Sequence, residues 1–228
     1  MGRRLGQHML RDRSVAEYIA DLVPIGSVVL EIGAGTGVLT LELAKRATKV
    51  YAVELDRALA AYLSARAPPN VEVIVGDALK IEWPPADFFA SNIPYYISSP
   101  LLLKLAERRL PAVVMLQKEV AERLVAAPGS ENYGRLTIAV RCNYDVEMLR
   151  VVPPRAFSPP PQVYSAVVRL TPRNPCVDDF KSFEKFTAML FSQRRKLARK
   201  LCQKAPEGKR VYQLSLDEIV ELFGKCRS

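Results

Sequence analysis

The sequence predicts an α/β fold: a parallel sheet with helices on both faces, an antiparallel hairpin at its end, and a small helical appendage. Three observations lead there. Short apolar runs alternate with stretches of helical spacing from residue 28 to residue 126. Two further strand-like runs, 144–152 and 163–170, are then joined only by the proline-rich loop Pro153 to Pro161. Finally, Thr171-Pro172-Arg173-Asn174-Pro175 can continue neither strand nor helix and reads as a linker.

In order along the chain, Ser14-Val15-Ala16-Glu17 has the form of a capping box, so a first helix is expected to start at Ser14 and to bury Ala16, Ile19, Ala20 and Val23. The run 28–32 is a buried strand ending in a glycine turn, and helical spacing resumes over 38–47. Strands are expected at 49–53, 71–75, 87–91 and 112–116, with helices at 56–66, 99–109 and 118–126 between them. A helix at 135–142 precedes the hairpin, so the sheet has seven strands. Beyond the linker, Phe180, Phe183, Phe186, Leu190, Leu197 and Leu201 mark one face of a long helix, and 216–223 a shorter one. The domains read as 1–172 and 173–228.

Composition narrows the chemistry. The chain has 228 residues, 49% apolar and 25% charged, enough for a substantial core, and a formal net charge of +9 that favours a polyanionic partner. The lone histidine, His8, and the cysteines at 142, 176, 202 and 226 have no metal-ligand spacing, so no metal is expected. No GxSxG elbow accompanies that histidine, which excludes a histidine-activated serine hydrolase. No run approaches the roughly 20 apolar residues that span a bilayer, and Arg3-Arg4 is followed by no export-signal core. Free thiols in a reducing cytoplasm are the default, although some hyperthermophiles form intracellular disulfides.

Glu31-Ile32-Gly33-Ala34-Gly35-Thr36-Gly37 places glycines at GxGxG spacing directly after a strand, where backbone amides can approach a ligand. Glu54 ends the next strand, placed to accept from both hydroxyls of a ribose, and Asp77 repeats the arrangement after the third. Three such strand ends suit a ligand with an amino acid, a ribose and an adenine but no phosphate: S-adenosylmethionine.

Asn92-Ile93-Pro94-Tyr95 follows the fourth strand and has the [Asn/Asp]-Pro-Pro-Tyr form, with Ile second, that serves an amino group conjugated to a planar ring. Such a nitrogen is a poor nucleophile because its lone pair is delocalised. Acceptors for its two N–H groups, Asn92 Oδ1 and the Ile93 carbonyl, would favour a pyramidal nitrogen with its lone pair toward the methyl. Tyr95 offers a stacking face worth about 1–3 kcal/mol, and Pro94 fixes the turn.

These segments resemble the ribosomal RNA adenine N6,N6-dimethyltransferase family, small-subunit type, over nearly the whole length. The match also rests on Leu5-Gly6-Gln7-His8-Met9-Leu10, Tyr96-Ile97-Ser98-Ser99-Pro100, Met115-Leu116-Gln117-Lys118-Glu119, Pro154-Arg155-Ala156-Phe157-Ser158-Pro159-Pro160-Pro161-Gln162-Val163 and Phe191-Ser192-Gln193-Arg194-Arg195-Lys196. The resemblance implies a Rossmann-like class I S-adenosylmethionine-dependent methyltransferase with a seven-stranded mixed sheet and a small helical C-terminal domain. It implies dimethylation of N6 of two adjacent adenines in the 3′-terminal hairpin of small-subunit rRNA, by a cytoplasmic monomer acting on a precursor ribosomal subunit. The cofactor residues it implies are Gln7, His8, Leu10, Glu31, Gly33, Gly35, Glu54, Leu55, Asp77, Ala78 and Asn92. At the target base it implies Asn92, Ile93, Pro94 and Tyr95, with Phe157 as a second wall facing Tyr95. His8-Met9 replaces the more usual Asn-Phe or His-Phe, and the appendage is shorter than the family's several helices. Two relatives share the core, the large-subunit rRNA methyltransferases of antibiotic resistance and the mitochondrial transcription factors. Ser98-Ser99-Pro100 and the run from Gln193 to Lys196 favour the small-subunit branch.

Residues 181–210 hold ten basic and two acidic side chains, almost the whole net charge. Clustering of one sign repels itself unless a phosphate backbone lies beside it. Arg194, Arg195, Lys196, Arg199 and Lys200, with Arg3 and Arg4 near the N-terminus, are the expected RNA contacts.

Overall fold

The computed structural model describes residues 8–226. Its larger sheet has seven strands in the order β4-β3-β2-β5-β6-β9-β7. The first five positions are β4 (Val71–Val75), β3 (Lys49–Glu54), β2 (Val28–Ile32), β5 (Phe88–Asn92) and β6 (Ala112–Gln117), all parallel neighbours. β9 (Ser165–Pro172) runs antiparallel to β6, and β7 (Tyr144–Val152) lies at the edge. The sheet is therefore mixed, as expected. A second, two-stranded sheet pairs β1 (Met9–Leu10) with β8 (Phe157–Ser158).

Helices α1 (Arg13–Asp21), α2 (Val38–Ala44), α3 (Arg57–Ser64), α4 (Ser98–Arg108) and α5 (Lys118–Val125) connect the strands, and α6 (Arg135–Arg141) precedes β7. Among these residues two compact units are distinguishable. The first runs to Leu101 and takes in Leu110–Ala121 and Glu147–Leu170. Its core packs Val15 and Ile19 of α1 and Leu39 and Leu43 of α2 against Val29, Val50, Ala90, Val113 and Val167 of the sheet, all nearly inaccessible to water. Each valine, leucine or isoleucine among them contributes about 1.5–3 kcal/mol when buried.

The second unit comprises Leu102–Arg109, Glu122–Val146 and the chain from Thr171 onward. It contains α7 (Phe180–Phe191) and α8 (Leu216–Lys225), whose Phe183 and Phe223 rings meet edge to face at 5.2 Å. Tyr133 and Ile138 complete that core, so the appendage takes up earlier segments as well as residues 173–228. A short run of helices cannot cover its own apolar face.

Three local expectations change. The N-cap of α1 is Asp12, not Ser14: its Oδ1 accepts from the Ser14 amide at 3.0 Å and the Ser14 hydroxyl at 2.7 Å. The serine therefore serves as a donor, and Glu17 faces Arg13 at 3.4 Å. The long helix expected to reach Leu201 ends at Phe191. Beyond it the backbone pairs with residues 209–212, through Ala198 N to Lys209 O at 2.9 Å, Val211 N to Lys196 O at 3.1 Å and Tyr212 N to Arg194 O at 3.1 Å. Hydrogen bonds across the loop thus replace those of a helix, and the basic run occupies turns. Lastly, the thiols are not free: Cys142 joins Cys176 and Cys202 joins Cys226, with Cα atoms 4.9 and 6.3 Å apart. Compartment sets a default for thiols, and Cα separations in this range are short enough to be bridged.

Candidate active site

Because β2, β3, β4 and β5 are parallel, their carboxyl ends share one edge of the sheet, and the loops leaving that edge enclose a cavity in the first unit. β2 leads into the glycine turn. Gly33, Gly35 and Gly37 have φ of +74°, +57° and +87°, a region where side chains with a Cβ are strained. The Gly33 amide bonds Val53 O of the neighbouring strand at 2.8 Å, which fixes the turn to the sheet.

Glu54, buried at the end of β3, binds backbone amides with both carboxylate oxygens: Oε2 accepts from Gly35 N at 2.8 Å and Oε1 from Asp56 N at 2.9 Å. Each oxygen retains acceptor capacity for one hydroxyl of a vicinal diol. Asp77 follows β4. Its Oδ1 accepts from Leu79 N at 3.0 Å, and the loop is tied down by Trp83 Nε1 donating to Ala78 O at 2.8 Å.

At the end of β5 the Asn92 Oδ1 atom is buried with no hydrogen-bond partner among the described residues, a costly state unless a ligand donor meets it. Ser91 below it donates to Ile32 O at 2.7 Å, binding β5 to β2. Pro94 leads into a single 3-10 turn, Tyr95–Ile97, closed by Ile97 N to Pro94 O at 3.1 Å. The half-buried Tyr95 hydroxyl lies 2.7 Å from Ser165 Oγ. Burial raises the Tyr95 pKa above its usual value, the Ser165 bond opposing, so the phenol stays neutral. The Tyr96 pKa is also raised, first by burial and then by the charges of Glu54 and Asp77.

The cavity brings together His8, Gly33, Gly35, Glu54, Leu55, Asp77, Ala78, Asn92, Ile93, Pro94 and Tyr95 of the expected set. Gln7, Arg3 and Arg4 lie outside the described residues. Leu10, Glu31 and Phe157 do not line it. Leu10 and Phe157 are paired in register between β1 and β8 and are 6% and 2% exposed, so the expected second wall is a core side chain in this conformation. The ring nearest Tyr95 is instead His8, at 5.8 Å between centroids, with its Nδ1 2.8 Å from Pro159 O. A carbonyl only accepts, so Nδ1 carries the proton. Met9, Tyr96 and Gly76 also line the cavity and were not singled out from sequence. Tyr96 had a signal, the second aromatic in the Tyr95-Tyr96 pair.

Glu31 lies wholly buried beneath this edge, its pKa pushed up to about 8, chiefly by burial, with the Thr40 hydroxyl opposing and the Glu54 charge adding. The unfolded carboxyl ionises near 4.5. Stability from the neutral form is fully present below that pH and is lost as pH rises toward about 8. In urea unfolding between pH 5 and 8.5, Glu31→Gln is expected to remove this decline and to gain on the order of a few kcal/mol at the alkaline end. Parallel profiles for both proteins would refute it.

In the second unit, Arg194 donates to Glu131 O at 2.9 Å and lies over the Tyr212 ring, while Arg199 is held by Ala205 O at 3.0 Å and Glu207 at 3.2 Å. Arg195, Lys196 and Lys200 are exposed.

A model of the family "Ribosomal RNA adenine dimethylase" matches residues 2–222. A protein of Pyrobaculum islandicum described as "Probable ribosomal RNA small subunit methyltransferase A" is 67% identical, covering 99% of both chains. Among solved structures, a dimethyladenosine transferase from Plasmodium falciparum is 31% identical and superposes with a TM-score of 0.82 over 96% of this chain and 98% of that one. The 23S rRNA methyltransferase ErmE is 29% identical, with a TM-score of 0.70 over 95% of this chain and 98% of that one.

Proposed function

The chain belongs to the ribosomal RNA adenine dimethylase family, and from that premise we propose that it dimethylates N6 of two adjacent adenines in the 3′-terminal hairpin of small-subunit rRNA. The observation that carries this reading is the buried, unpartnered Asn92 Oδ1 beside Tyr95, in one cavity with Gly33, Gly35, Glu54 and Asp77. A cavity with a diol acceptor at one end and an orphan acceptor beside an aromatic face at the other fits a nucleoside cofactor and a base amine together.

The cofactor residues fit S-adenosylmethionine. Glycines would let the backbone approach it, Glu54 would receive the ribose hydroxyls and Asp77 would accept from the adenine amine. Bound there, S-adenosylmethionine supplies an electrophilic methyl on a sulfonium that is already a good leaving group. The protein's part is placement. Tyr95 stacks the target base, while Asn92 Oδ1 accepts from an N6–H and favours the pyramidal nitrogen, whose proton is lost to water after attack. No strong general base is needed.

The small-subunit branch is favoured over the antibiotic-resistance branch by the 67% identity to the Pyrobaculum protein and the closer superposition on the dimethyladenosine transferase. We place the reaction on a precursor subunit, performed by a monomer in the cytoplasm. The exposed Arg195, Lys196 and Lys200 provide the phosphate grip.

Mass spectrometry of small-subunit rRNA, free or in precursor particles, after incubation with labelled cofactor tests the reaction. N6,N6-dimethyladenine is the expected product, and methylation of one adenine of large-subunit rRNA in a parallel incubation, with the small-subunit rRNA unmodified, would point to the other branch. Replacing Arg195, Lys196 and Lys200 together by alanine should weaken RNA binding and flatten its salt dependence by about two to three in log–log slope. An unchanged slope would remove these residues from the interface.

A further inference from the structure

Resting on that reading, we propose that Ser165 is a positioning residue for methyl transfer, holding the Tyr95 ring in the plane at which the target base stacks. Ser165 is the first residue of β9 and is 0% exposed. Its hydroxyl lies 2.7 Å from the Tyr95 hydroxyl, the far end of the ring from its backbone. It does not line the cavity, so it acts only through Tyr95.

The two ends of this bond sit on supports of different stiffness. Ser165 stands opposite Gln117 in the antiparallel β6–β9 ladder, and the residue before it is pinned by Lys118 N donating to Tyr164 O at 2.9 Å. Tyr95 opens a three-residue 3-10 turn after Pro94, a short element whose hydrogen-bond geometry is poor. A tyrosine anchored only at its backbone can swing about its first two side-chain torsions, and stacking requires one orientation. The bond to the strand removes that freedom before the base arrives, so the cost of ordering the ring is not met at each encounter. With Ser165 excluded from solvent, bulk water cannot readily take over its role.

Loss of the bond should therefore lower the rate of transfer more than cofactor binding. In single-turnover methylation of small-subunit rRNA, Ser165→Ala and Tyr95→Phe are each expected to reduce the rate constant of methyl transfer by about 5- to 10-fold, with cofactor Kd unchanged within about twofold. Tyr95→Phe keeps the aromatic face and leaves β9 untouched, so it carries the test should Ser165→Ala fold poorly. The double variant should be no slower than the slower single one, because both remove the same bond. Additive losses, or a Tyr95→Phe enzyme as fast as the wild type, would overturn the proposal. A wild-type protein that forms no N6,N6-dimethyladenine would instead overturn the functional reading, a different and separable failure.

Discussion

Asn92→Ala is expected to cut the methylation rate by about 10²- to 10³-fold while cofactor affinity falls only a few-fold. The magnitude is that of removing one preorganised hydrogen-bonding group aimed at the charge that develops in the transition state. The asymmetry follows from the geometry. Asn92 Oδ1 has no partner among the described residues, so its desolvation is already incurred by folding and is recovered only when a donor arrives. In the proposed site the cofactor would rest on other groups that line the cavity, the glycine turn, Glu54 and Asp77. Asn92→Asp keeps an acceptor in the same place and should restore part of the lost rate. Equal loss of cofactor affinity and rate in the alanine variant would make Asn92 a cofactor ligand only, and the acceptor for the base amine would have to be sought elsewhere.

Which parts of this arrangement were legible in the sequence depends on how local the cause is. The glycine turn, Glu54, Asp77 and the Asn92 to Tyr95 segment each sit at the end of a buried apolar run, so strand periodicity alone places them at one edge once the strands are known to be parallel. The short helix expected at 216–223 was also local, and α8 is capped by Ser215 and Glu218 bonding reciprocally at 3.2 and 2.8 Å. Failures came where a partner distant in sequence decides. Phe157, in the sequence as easily a packing side chain of the proline-rich loop as a wall for the base, is set opposite Leu10 and buried by the pairing of β1 with β8. Leu197 and Leu201 keep a helical spacing beyond Phe191, yet the backbone there pairs with residues 209–212 instead. Ser165 carries no signal at all in the sequence, since its meaning lies in the hydroxyl of a tyrosine 70 residues away.

Gly33→Ala tests whether the cofactor turn and the acceptor loop are one mechanical unit. A Cβ at Gly33 would stand 2.7 Å from Pro94 Cγ and 2.9 Å from its Cδ, closer than carbon atoms approach. A proline ring cannot swing aside as the end of a flexible side chain does, so either the glycine turn or the Asn92 to Tyr95 segment must shift. The positive φ of Gly33 adds strain of about 1–2 kcal/mol on its own. Displacement of reacting groups by about 1 Å can cost 10²-fold in rate. Gly33→Ala is therefore expected to lower both cofactor affinity and kcat, the latter by at least about 10²-fold, in contrast to the selective loss at Asn92. Gly129 supplies the control. Its φ is +86°, but a Cβ there meets nothing within 4 Å, so Gly129→Ala should show the backbone strain as a lower unfolding midpoint and leave methylation intact. If Gly33→Ala behaved like Gly129→Ala, the close approach of Pro94 would have no part in catalysis. If it lost cofactor binding yet methylated at the normal rate under saturating cofactor, the two loops would be independent. Loss of both, with the fold retained, would show that the proline of the acceptor motif also sets the distance between the base and the methyl donor by resting on the glycine of the cofactor motif.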